Sequence, residues 1–197
     1  LKLGIKKKNI HFIGRKLKIK HHKLYLNAVK IKIFFDKYIS NIIKPDVIYT
    51  HSWEGGHEDH DTCNLIARNI RSKYKIKNCY QFSLYNSFNT SVIFFKVFNP
   101  IEKKNGKKVL ASVIDRINFI RLLFNYTSQI KTWIGLYPFI IFHYLFKGFN
   151  FIEILNSDKI IQRPHMGNLL YERRGFCKFD TLKKRTSFLL NDFKLRK

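Results

Sequence analysis

Residues 46 to 61 read Asp46-Val47-Ile48-Tyr49-Thr50-His51-Ser52-Trp53-Glu54-Gly55-Gly56-His57-Glu58-Asp59-His60-Asp61. The first five have the apolar, β-branched character of a short strand. The last eleven hold four of the chain's 13 acidic residues and three of its eight histidines. Solvation alone would scatter such residues. Imidazoles and carboxylates placed side by side perturb one another's pKa, an arrangement that metal and proton-transfer sites use. Gly55 and Gly56 let the backbone turn sharply and approach a ligand closely.

Outward from this stretch the pattern alternates. Ile10 to Gly14 reads as a short strand ending in a glycine turn. His22 to Ile43 carries a helical stripe of Leu24, Ala28, Ile31, Phe35, Tyr38 and Ile42, ended by Pro45. After the cluster, Leu65, Ile66, Ile70 and Tyr74 mark a second helix, and Asn78–Leu84 and Ser91–Phe98 read as further strands. Strand–helix alternation predicts an α/β fold with a parallel sheet. Ligands in such sheets bind outside the carboxyl ends of the strands, where this cluster begins. From Lys107 the spacing of Leu110, Val113, Ile117, Ile120 and Phe124 turns helical. Thr132 to Phe146 is apolar but shorter than the roughly 20 residues a spanning helix needs. Interrupted by Pro138 and His143, it reads as a buried helix pair, with an interfacial membrane segment as the lesser reading. One domain is expected over 1–197, an α/β part to about residue 100 and then a helical segment with a C-terminal extension.

The net charge is +25, from 38 Lys and Arg against 13 acids. The lysines are spread over the whole chain, so the charge reads as compositional bias and not as a nucleic-acid footprint, which clusters. A basic module binding RNA or an anionic membrane is the rival reading, and it allows peripheral membrane contact. Cys63, Cys79 and Cys177 form no C-x-x-C pair. They argue against a disulfide scaffold and fit a reducing, cytoplasmic compartment.

His57 and His60, three apart on an opening helical turn, can converge on one small volume, and by spacing alone both would be zinc ligands. Asp59 and Asp61 compete as helix caps. The octet Glu54-Gly55-Gly56-His57-Glu58-Asp59-His60-Asp61 resembles the E-G-G-H-P-D-H-D segment of PIG-L/LmbE-type de-N-acetylases, with Glu58 in place of the family's proline. These zinc enzymes remove acyl groups from N-acylated amino sugars such as N-acetylglucosamine conjugates. The resemblance implies a Rossmann-like, LmbE-like three-layer sandwich with a mostly parallel sheet, incomplete at the N-terminus, and Zn2+ as cofactor. It also implies His60 as the zinc ligand, and a protonated His57 that stabilises the oxyanion and hands a proton to the leaving amine. Asp59 would orient His57 and keep it charged. Glu54 would hold the loop through hydrogen bonds.

Weaker likenesses follow in the order the family shows. Tyr126-Thr127-Ser128-Gln129 resembles an aromatic-x-Ser-Gln feature, although Phe119 stands where a lysine is usual; Tyr126 and Gln129 read either as lining the substrate pocket or, no less, as helix-packing residues. Arg163-Pro164-His165 and Leu170-Tyr171-Glu172-Arg173-Arg174 resemble the C-terminal stretch of some members. By charge Arg163, Arg173 and Arg174 suit contacts with a phosphate or sugar-nucleotide tail, with solvated surface arginine as the commoner reading. The family's A-H-P-D-D-E motif, which supplies the remaining zinc ligands and the general base, is absent. His11, His21 and His22 lack neighbouring aspartates and take no role. Because Leu1 is not an initiator, the chain is expected to be the later portion of a longer enzyme. A member that has lost its site is the alternative.

Overall fold

The computed structural model describes residues 4–41, 45–91, 94–101, 106–109, 111–125, 130–146, 149–154 and 162–189. The protein is a mixed α/β structure around a four-stranded sheet. In chain order its elements are α1 (Ile13–Lys16), α2 (Ala28–Asn41), β1 (Val47–His51), α3 (Glu58–Tyr74), β2 (Asn78–Phe82), β3 (Tyr85–Asn86), β4 (Lys96–Val97), β5 (Gly106–Val109), α4 (Val113–Leu123), α5 (Ile130–Phe146), β6 (Phe149–Glu153), α6 (Leu170–Arg173) and α7 (Phe179–Thr186).

The sheet order is β1-β2-β6-β5. The unit β1–α3–β2 is parallel, with Val47 opposite Asn78 and His51 opposite Phe82. Strand β6 runs antiparallel to both of its neighbours, so the sheet is mixed and not mostly parallel. The cause lies in the connection. α4 and α5 pack on each other as a pair, which returns the chain to the end of the sheet that β5 left, and Val109 pairs with Phe149.

Helix α3 is specified at both ends. Glu58, Asp59 and Asp61 in its first turn and Arg71 and Lys73 in its last complement the helix dipole. Lys75 ends it in the left-handed conformation at φ 51°, and the Ile76 N–H donates to Arg71 O. Its buried Leu65, Ile66 and Ile70 meet Ala28 and Ile31 of α2 and the C-terminal Leu169, Tyr171, Phe179, Leu182 and Leu189. The C-terminal stretch is therefore part of the main core. On the opposite sheet face Val47 and Tyr49 are exposed. A second, smaller core joins Leu123 to Leu136 and Ile140.

Several expectations change. Ile10–Gly14 is not a strand, since among the described residues no strand offers it a ladder; a 3-10 turn at Lys7–Asn9 precedes it and the short α1 begins at Ile13. α2 begins at Ala28 and not at His22, since residues 21–24 form turns, with His22 at φ 63°. Between Ser91 and Phe98 the described strand is only Lys96–Val97. The helix expected from Lys107 starts at Val113, where the Ser112 hydroxyl accepts the Asp115 N–H, and Gly106–Val109 is strand β5 instead. The apolar stretch is one helix containing Pro138, not a pair. Its Phe139, Phe142, Leu145 and Phe146 are exposed rather than buried. Among the described residues no helix is long and apolar enough to cross a membrane.

Leu182 of α7 is fully buried in the main core. Leu182→Ala is expected to cost about 2–5 kcal/mol in urea unfolding. Val113→Ala, at an exposed position, should stay within about 0.5 kcal/mol. An unchanged midpoint for Leu182→Ala would contradict the packing of the C-terminal stretch.

Candidate functional site

At the carboxyl end of β1 the chain leaves the sheet through residues 52–57 and enters α3. Two buried carboxylates shape this loop. Asp61 accepts the N–H groups of Glu54 at 3.1 Å and Gly55 at 3.2 Å, closing the loop onto the helix that follows it. Glu54 accepts from the Ser83 hydroxyl at 2.5 Å, the Leu84 and Tyr85 N–H groups at 2.8 and 3.1 Å, and Asn86 Nδ2 at 3.1 Å. It thus ties the loop after β1 to the loop after β2, as expected of it. Burial pushes Glu54 up to about 7 against those four bonds, and it pushes Asp61 up as well. Gly55 sits at φ 70°, and a Cβ on Gly56 would lie 1.8 Å from Tyr85 O, so both glycines are required. Asn64 locks the ends together, donating to His51 O at 2.7 Å and Gln81 Oε1 at 2.9 Å.

His57 is the helix cap, a role expected of Asp59 or Asp61. Its Nδ1 accepts the Asp59 N–H at 3.1 Å. An Nδ1 that accepts carries no proton, so the neutral ring bears its hydrogen on Nε2. That nitrogen lies 3.2 Å from His21 Nε2. Among the described residues the Asp59 carboxylate makes no hydrogen bond to His57. It accepts the backbone N–H groups of His22 at 2.8 Å and Leu24 at 2.9 Å, holding the His21–His22 turn over the start of α3. Glu58 accepts from His22 Nδ1 at 2.5 Å.

Four of the imidazoles form a column. His22 and His57 stack at 4.6 Å between centroids, His57 and His60 at 4.8 Å, and His60 and His51 at 4.2 Å. Phe176 closes the column on His22 at 3.9 Å, and Phe82 closes it on His51 at 5.2 Å. His21 leans against His22 and His57. Burial, reinforced by the neighbouring imidazoles, lowers His57 to about 3 and His60 to about 2. Burial lowers His51 too. His57 is therefore neutral here, not the protonated ring expected of it.

Sequence reasoning left out His21, His22 and His51. The first two come from a segment some 36 residues upstream, and their only signal is the doubled histidine. His51 opens the His/acid run at the strand end, a position that could have marked it. Arg163 does not face the column: it pairs with Glu172, donates to Gly167 O and lies over the Phe179 ring. Arg173 donates to the carbonyls of Thr90, Ser91 and Asn168. Arg174 is the arginine whose charge reaches His57 and Tyr85. Tyr126 and Gln129 lie outside the described residues.

A catalytic zinc takes three protein ligands and an open position. Neutral His60 is in the form a ligand needs, but among the described residues it belongs to no group of three with ligand atoms within 4.8 Å of one another. The groups that do are His21, His22 and His57, and His57, Glu58 and Asp59. The residues described here thus do not complete a zinc site on His60. Comparison with protein-family models, with curated proteins and with solved structures gave no match to this chain.

Unfolded, His60 takes up a proton below its ordinary value of 6.5; folded, it resists until about 2. The unfolded state then binds more protons, so this stability is complete above pH 6.5 and is lost as pH falls. With metal chelated, the stability difference should move toward His60→Gln below pH 6.5, by up to about 1.4 kcal/mol per pH unit. Parallel pH profiles for the two proteins in urea unfolding would contradict a neutral buried His60.

Proposed function

We propose that the chain is the α/β portion of an amide hydrolase of the PIG-L/LmbE type, an N-deacetylase of an N-acetylglucosamine-type conjugate, with the LmbE-like version of the α/β fold. One observation carries this reading: the octet forms a loop with a division of labour, at the carboxyl end of a parallel strand. Glu54 and Asp61 are buried scaffold, while His57 and His60 share one face. Solvated surface histidines would have neither their burial nor their stacking.

The chemistry assigned to this chain's own residues centres on His57. As acyl transfer builds negative charge on the carbonyl oxygen, a donor fixed beforehand at that oxygen lowers the barrier. The Nε2–H of a neutral imidazole is such a donor, and it loses no proton in the act. The Asp59 N–H at Nδ1 keeps the hydrogen on Nε2. Arg174, on the exposed side, is the cation placed for an anionic group of the conjugate. In enzymes of this type zinc polarises the carbonyl and lowers the pKa of its bound water. No step is assigned to it here, because His60 lacks partner ligands among the described residues.

The test is acetate release from an N-acetylglucosamine conjugate, with zinc added, by the whole reading frame that encodes these residues. His57→Ala should lower kcat by about 10²–10³-fold with KM little changed, as loss of an oxyanion donor does. An inactive wild type, or a His57→Ala variant of full activity, would sink the reading.

A further inference from the structure

We propose that His21, His22 and His57 form a binding site for a divalent ion of the zinc class, separate from any ion on His60, and that its occupation blocks His57. The blocking role rests on the deacetylase reading. The binding site does not.

The distances suit an ion, although the His22 ring must turn out of its stack on His57 so that both lone pairs meet it. The ligand nitrogens of the three rings lie within 4.8 Å of one another, and the Nε2 atoms of His21 and His57 are 3.2 Å apart. Two nitrogens bound tetrahedrally to one zinc at about 2.0–2.1 Å are separated by about 3.3 Å. The support is built as well. Glu58 Oε1 accepts from His22 Nδ1 at 2.5 Å, the carboxylate–histidine arrangement that orients a ligand ring with Nε2 toward a metal. The Phe176 ring backs His22 on its other side. Asp59 holds the His21–His22 turn by two backbone N–H groups, with His22 in the left-handed region at φ 63°, uncommon for a residue with a Cβ. His21 is exposed, so an ion can enter from solvent.

A second observation points to the same ligand. The Glu58 side chain is fully buried, yet its Oε2 has no hydrogen-bond partner. A buried carboxylate oxygen without a donor is costly. Oε2 lies 3.5 Å from His57 Nδ1. Without metal that nitrogen carries no proton. When an ion takes Nε2, the ring's single proton passes to Nδ1, the ring stays neutral, and Oε2 gains its donor, while the Asp59 N–H gives up its bond to Nδ1. The vacant acceptor is thus the proton's place in the bound state. Glu58 is also where the octet departs from the resemblance, and proline could serve neither ring. With an ion on Nε2, His57 has no N–H for a carbonyl oxygen, so this ion inhibits.

The experiment is a titration of the chain, stripped with EDTA, with Co2+, following the visible absorption of tetrahedral cobalt and its displacement by Zn2+. Expected is one ion bound per chain by the wild type and by His60→Ala. His21→Ala, at an exposed position, should abolish the tetrahedral signal. Glu58→Gln should weaken binding about 10–100-fold. Absence of binding to the wild type, equal binding by His21→Ala, or loss of the signal in His60→Ala would each overturn the site. None of these readouts needs deacetylase activity, so failure of the enzymatic reading leaves them standing. In the acetate assay excess zinc should inhibit the wild type but not His21→Ala. Equal inhibition of both would remove the blocking role alone.

Discussion

The hydrogen bonds from the backbone N–H groups of Glu54 and Gly55 to the buried carboxylate of Asp61 are the constraint from which the rest of this structure follows. They bend the chain leaving β1 back onto the first turn of α3. Glu54 then reaches the loop after β2 with four accepted bonds. A buried carboxylate lacking such partners would cost several kcal/mol. With them, the acids become a brace that fixes where α3 starts, and therefore where His57 and His60 point. The same region packs on the C-terminal stretch, since Leu170 N–H donates to Gly55 O at 2.8 Å.

Given that brace, the imidazole column has a defined electrostatic state. His57 and His60 lose water and face other rings, so adding a proton to either is opposed by burial and by its neighbours. Neutral imidazoles are hydrogen-bond donors at one nitrogen and metal ligands at the other. Which role His57 plays depends on where its single proton sits, and the two groups that decide this are the Asp59 N–H and Glu58 Oε2. The proposed donor state and the proposed ion-bound state of His57 therefore differ in the ion and in one proton position on that ring.

What the sequence disclosed was local. β1, the loop and α3 were readable because strand composition, paired glycines and a 3.6-residue stripe are properties of neighbouring residues. Glu54 as the brace of the loop was readable for the same reason. The His21–His22 turn over α3 was not, because it is fixed by contacts 35 to 37 residues apart in the chain. Strand β5 was hidden inside a helical spacing that truly begins at Val113, and its place at the sheet edge comes from pairing with β6. Ile10–Gly14 has strand composition but, among the described residues, no strand beside it. Arg163 shows the same limit: its charge suggested a ligand, while its partner Glu172 lies nine residues ahead.

The most direct test of the central claim is the tautomer of His57, read from imidazole nitrogen-15 shifts of the metal-free chain near pH 6. A loop braced by Glu54 and Asp61, with Asp59 N–H on Nδ1, gives a neutral ring protonated at Nε2 alone. An imidazolium, or a ring protonated at Nδ1, would contradict it, and with it the assignment of His57 as a preset donor.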